Sequence, residues 1–201
     1  MSFANSLPFV LRWEGGFVDH PADPGGATNR GVTQKVYDTW CAKNGRPQHS
    51  VRELTEAEMS SIYEHNYWHA ARCSEVQDKL DLALFDTAVN MGVGRAVGFL
   101  QESVGCQVDG GFGGATLAAV QCCDPAQALQ KFCTVRESYY RRLVEVKPDM
   151  NVFLRGWLNR LNALRGTVGL AGYSSSVTRG GPSGEIIQRL PDLGEDPAFD
   201  V

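Results

Sequence analysis

The chain has 201 residues, 43% of them hydrophobic and 21% charged, which is ordinary globular composition with length enough for a real core. Its formal net charge of -4 argues against broad attraction to nucleic acid. No apolar run approaches the ~20 residues that a membrane-spanning helix needs, and residues 1–5 lack the positive segment and long apolar run of a signal peptide. The expectation is therefore synthesis in the cytoplasm, without stable membrane insertion.

The first predicted element is a short helix over residues 7–13, with Asn5 or Ser6 as cap and Pro8 in its first turn. Glu14 follows it, and Gly15-Gly16 stops the helix just after that carboxylate. A carboxylate there faces the negative end of the helix dipole, and Trp13 and Phe17 can strip water from it; both effects favour the protonated form. A general acid that protonates a leaving sugar oxygen needs that form, and glycoside hydrolysis pairs it with a second, ionised carboxyl. Asp23 and Asp19 are the available partners. The plainer alternative makes Glu14 a solvated residue before a turn, with Asp19 and Asp23 merely shaping an irregular loop.

Residues 17–32 are rich in Gly, Pro, Asp and Asn, the composition of a small irregular β-hairpin region and of an active-site loop. Thr33 can cap a helix carrying Val36, Tyr37, Trp40 and Cys41 at helical spacing and ending near Asn44-Gly45. Thr55-Glu56-Ala57-Glu58 has the form of a capping box, whose helix continues through Met59, Ile62 and Tyr63. Tyr67 and Trp68 can either stack on a sugar ring or fill the core; one of each is expected. Residues 80–91 form a strongly apolar helix with Gly92 as its stop. Asn90 lies inside it, and a buried amide there must bond a neighbouring backbone group or reach a ligand such as the N-acetyl group of a sugar.

Short helices are expected over residues 95–104 and 115–121, around a glycine-rich loop at 109–114 that reads as a joint between packed helices. Asp124-Pro125 opens a long helix to about residue 146, and an amphipathic stripe of Phe153, Trp157, Leu161, Leu164 and Val168 marks a last core helix. From Gly172 the composition turns linker-like and then acidic, with Glu185, Asp192, Glu195, Asp196 and Asp200 facing only Arg179 and Arg189. The cysteines at 41, 73, 106, 122, 123 and 133 form no Cys-x-x-Cys motif, and His65 and His69 lack the glutamate of His-Glu-x-x-His. Reduced thiols and no metal are expected.

The runs Glu14-Gly15-Gly16-Phe17 and Asp23-Pro24-Gly25-Gly26-Ala27-Thr28-Asn29-Arg30-Gly31-Val32-Thr33, with the Tyr67-Trp68 pair, resemble the family 108 glycoside hydrolases, N-acetylmuramidases of the lysozyme superfamily often encoded by phages as endolysins. Further on, Phe85-Asp86-Thr87-Ala88-Val89-Asn90-Met91-Gly92, Leu100-Gln101 and Asp109-Gly110-Gly111-Phe112-Gly113-Gly114-Ala115-Thr116-Leu117 resemble the peptidoglycan-binding-like segment that follows the catalytic one in that family. The resemblance implies a mainly α (α+β) fold, a lysozyme-like helical globule with a small β-hairpin region near the active site. It divides the chain into a catalytic segment 1–82, a helical segment 83–171 packed into the same globule, and a tail 172–201.

The resemblance also carries the catalytic acid onto Glu14. Phage-type lysozymes space Glu, eight residues, Asp or Cys, five residues, Thr. Glu14 and Asp23 fit the first interval, but Thr28 follows Asp23 after four residues and Asn29 occupies the expected place. Asp23 is then the leading second carboxylate with Asp19 behind it, and Thr28 or Asn29 positions water or substrate; Tyr67, Trp68 and Asn90 are candidates for substrate binding. The implied reaction is hydrolysis of the β-1,4 bond between N-acetylmuramic acid and N-acetylglucosamine in peptidoglycan glycan strands, by a monomer, with no cofactor and no nucleic-acid partner. An endolysin would reach the wall through a holin lesion. Arg136, Arg141, Arg142 and Lys147 could form a wall-facing strip, but read better as a solvated helix face. Rival readings are a lytic transglycosylase and a non-catalytic protein for wall binding or secretion.

Overall fold

The computed structural model describes residues 1–19, 26–77 and 79–171. The chain is mainly α-helical, with one small antiparallel hairpin. Helix α1 runs Phe3–Leu11 and is capped by Ser2, whose side chain accepts from the Asn5 N–H. It begins earlier than propensity indicates because Phe3 is an anchor. The Phe3 ring meets Trp68 at 5.8 Å and Phe85 at 5.7 Å between centroids, both edge-on, and this packing outweighs the placement of Pro8 inside the helix rather than in its first turn.

Strands β1 (Thr28–Asn29) and β2 (Val32–Thr33) are joined by Arg30 and Gly31, both at positive φ, as a two-residue hairpin of matching twist requires. Val18 bridges Thr28 with two backbone hydrogen bonds of 2.8 Å, so the segment leaving Glu14 is fastened to the hairpin. Thr33 then caps α2 (Gln34–Lys43), and the predicted capping box of Thr55 and Glu58 opens α3 (Glu56–Tyr63). The Tyr37 hydroxyl donates to Glu58 at 3.0 Å and ties α2 to α3. A wide, π-type turn over Glu64–His69 follows, which helical spacing did not foretell.

Helix α4 (Leu80–Met91) is the axis of the molecule: all its residues are buried, as befits a helix apolar on nearly every side. Around it pack α1, α5 (Val93–Val104) and α7 (Pro125–Val146), with α6 (Gly114–Cys122) resting on α5 and α8 (Asn151–Val168) on α7. One cluster of buried side chains runs without a break from Phe9 and Val10 to Leu164 and Val168, so the first and last helices share a core. Two clasps reinforce the seam. Arg72 lies over the Phe112 ring and donates to the Phe112 carbonyl at 2.8 Å, and the Lys79 ammonium donates to the Val168 carbonyl at 3.2 Å.

The loop at 109–114 is the structural joint that its glycines suggest. Gln101, 1% exposed, donates to Asp109, the Gly111 carbonyl and Thr116, and accepts from the Asp109 and Gly110 N–H groups. Gly110 has φ +72°, and a Cβ there would lie 3.1 Å from the Gly94 carbonyl oxygen. All six cysteines are free thiols, and no helix among the described residues is long and apolar enough to cross a membrane. The acidic tail lies outside the described residues.

Candidate active site

Glu14 stands two residues past the C-cap of α1, in the turn made when the Trp13 and Glu14 N–H groups reach back to Val10 and Leu11. Its side chain is only 4% exposed, although Gly15 and Gly16 beside it lie open to solvent. A carboxylate so withdrawn needs a partner, since an unpaired buried charge is costly. The partner comes from the far end of the chain: Arg160 on α8 donates from Nη1 to Glu14 Oε1 at 3.0 Å.

Arg160 is itself held from behind. Its Nε donates to Asp86 Oδ1 at 2.9 Å and its Nη2 lies 2.8 Å from the same oxygen, while Arg136 on α7 donates from Nη1 to Asp86 Oδ2 at 2.6 Å. Two carboxyl groups and two guanidiniums thus meet in the interior. Burial alone would raise the Asp86 carboxyl, but the charges and hydrogen bonds of Arg160 and Arg136 hold it below the usual aspartate range. The cluster continues to Tyr140, which accepts from Arg136 Nε at 2.9 Å and donates to Asn90 Oδ1 at 2.8 Å. Burial raises the Tyr140 phenol, so it keeps the proton it donates.

Several sequence expectations change here. Asn90 bonds neither backbone nor an open cleft: it is 1% exposed, and its oxygen takes side-chain donors from Tyr140 and, at 3.4 Å, Arg136. Arg136 is fully buried rather than part of a solvated face, because it neutralises Asp86. Of the aromatic pair, Trp68 is the core member, 3% exposed, edge-on to Phe3 and Phe85, with its indole N–H on Ser74 at 2.8 Å. Tyr67 is half-buried, with its ring 5.6 Å from that of Tyr63.

On the hairpin side, Asn29 is buried and spends its amide on the Val51 and Arg52 carbonyls, at 3.0 and 3.4 Å, which clips β1 to the following short helical turn. Thr28 is half-buried, with its backbone engaged by Val18. Asp19 is exposed at the mouth of the loop, and Asp23 lies outside the described residues. Arg52 covers the Phe17 ring at 3.9 Å, which fixes the aromatic just after the glycine pair. The structure thus fastens the segment leaving Glu14 to the hairpin through the Val18–Thr28 bridge, and removes Trp68 and Asn90 to the interior.

Sequence reasoning missed Arg160 and Asp86. A signal was available: Asp86 interrupts a largely apolar helix, and Arg160 falls on the stripe of Trp157, Leu161 and Leu164. A charge at a core position is expected to have a partner.

The family described as glycosyl hydrolase 108 matches residues 7–92, and one described as a predicted peptidoglycan domain matches residues 95–162. The solved structure of SagA from Brucella abortus is similar, with 35% identity over 87% of this chain and 97% of that one and a TM-score of 0.67. No curated protein matches. The chain belongs to the glycosyl hydrolase 108 family and is a glycoside hydrolase acting on peptidoglycan.

Proposed function

We propose that the enzyme is an N-acetylmuramidase that hydrolyses the β-1,4 bond between N-acetylmuramic acid and N-acetylglucosamine, with Glu14 as the general acid. The observation that carries this reading is a carboxyl withdrawn from water yet set beside an open Gly15-Gly16 turn, where a glycan backbone can approach without meeting a side chain. Glu14 protonates the leaving oxygen. Asp23 is the second carboxylate, with Asp19 behind it. Asn29 is occupied with backbone carbonyls, which leaves Thr28 the better group for positioning water, and Tyr67 the better aromatic for a sugar face.

The biological setting we infer is that of a phage endolysin, released to the wall by a holin. Within it, residues 1–82 carry the catalytic groups and residues 83–171 form the helical segment that grips glycan strands.

The test is clearing of purified peptidoglycan by wild type and Glu14→Gln, with mass spectrometry of the soluble products. Wild type should release reducing N-acetylmuramic ends, and Glu14→Gln should lose about 100-fold or more of the rate. Anhydro ends would make the enzyme a lytic transglycosylase, and equal clearing by both proteins would remove Glu14 from the mechanism.

A further inference from the structure

We infer that Arg160 is a positioning residue for Glu14, so that the last helix of the second segment completes the catalytic centre of the first. The inference rests on the reading of Glu14 as the acid. The two residues are 146 positions apart and belong to different family segments, yet the Arg160 guanidinium, 1% exposed, presents its N–H groups to two carboxylates at once. Nε and Nη2 face Asp86 Oδ1, and Nη1 donates to Glu14 Oε1.

Asp86 fixes the plane of that fork. Its second oxygen is taken by Arg136, so neither Asp86 nor Arg160 is free to turn. Glu14, by contrast, stands on a turn followed by two exposed glycines, neither of which would bring a Cβ within 4 Å of another group. The backbone is held by the Glu14 N–H on the Leu11 carbonyl at 3.3 Å, and the guanidinium fixes the carboxyl at the end of the side chain. A proton donor must sit within about 3 Å of the oxygen it serves, so an anchor on the other carboxyl oxygen has direct consequences for rate. Lysine cannot replace the fork, because one ammonium cannot keep the flat, divergent geometry that reaches both carboxylates.

The experiment compares wild type, Arg160→Lys and Arg136→Lys on soluble, uncross-linked glycan strands, with kcat, KM and Tm for each. Both substitutions take a guanidinium from Asp86 and should lower Tm comparably, but only Arg160 touches Glu14. Arg160→Lys should lose about 10- to 100-fold in kcat with KM changed less than about twofold, whereas Arg136→Lys should lose far less kcat for a similar fall in Tm. Equal losses of kcat that follow Tm would overturn the inference, as would failure of Arg160→Lys to fold, since either makes Arg160 a stability residue only. If Glu14→Gln is inactive and Arg160→Lys is fully active, the positioning role alone falls; if Glu14→Gln is active, the assignment of the acid falls first.

Discussion

The chain has two glycine-rich loops of similar composition, and they are built in opposite ways. At 109–114 the loop is bolted to the core through Gln101, which satisfies groups on Asp109, Gly110, Gly111 and Thr116, and Gly110 adopts a backbone shape that packs against Gly94. Past Glu14, the loop is held at its base by the Val18–Thr28 bridge and the Arg52–Phe17 contact, while Gly15 and Gly16 touch nothing a Cβ would meet. In the first loop Gly110 serves packing, while Gly113 and Gly114 are as open as Gly15 and Gly16; the loops differ in the Gln101 anchor and the Gly110 contact.

The largest test of this contrast is Gln101→Ala. It strands several polar groups at once and should cost about 3 kcal/mol, or roughly a 10 °C fall in Tm, with wall clearing per folded molecule retained. Gly110→Ala comes next, at about 2 kcal/mol, from the positive φ and the crowding against the Gly94 carbonyl; urea unfolding would measure it. Arg52→Ala removes an exposed cation from the Phe17 ring and should cost about 0.5–1 kcal/mol. Gly15→Ala should be the smallest in stability, within about 0.5 kcal/mol, yet it should slow clearing if, as proposed, the glycan approaches over the Gly15-Gly16 turn. A Gly15→Ala protein that clears walls at the wild-type rate would erase the distinction between the loops.

Acid titration sharpens the same comparison. Hydrogen bonds from Gln101 and the Gly111 N–H hold the Asp109 carboxyl below its usual range. A depressed folded value means that the stabilisation is complete above the ordinary aspartate pKa of about 3.9 and is lost as pH falls through the lowered one. Melting curves of Asp109→Asn should therefore change less than those of wild type between pH 5 and pH 2, both figures being approximate bounds of that window.

What was legible in the sequence was local. The capping box at Thr55, the apolar run of α4 and the Asp124-Pro125 helix start each depend on neighbours within one or two turns, and each forms as its spacing requires. The start of α1 was misplaced because Phe3 is anchored by residues from two other helical stretches. Of the candidate site, the sequence singles out Glu14 and its glycines but not the groups behind them. Arg136 is 50 residues from Asp86, Arg160 is 74 from Asp86 and 146 from Glu14, and no helical periodicity reports pairs so distant. A charged residue on an apolar stripe shows that a partner exists without saying where.

The unbroken core and the ion cluster across it bear on how such genes can be shuffled. The join between the two family segments falls between Gly92 and Arg95, a tempting crossover point in the sequence. A hybrid spliced there receives Glu14 and Asp86 from one parent and the cations at 136 and 160 from the other. Only parents that place arginines at both positions yield a chimera with its interior charges matched.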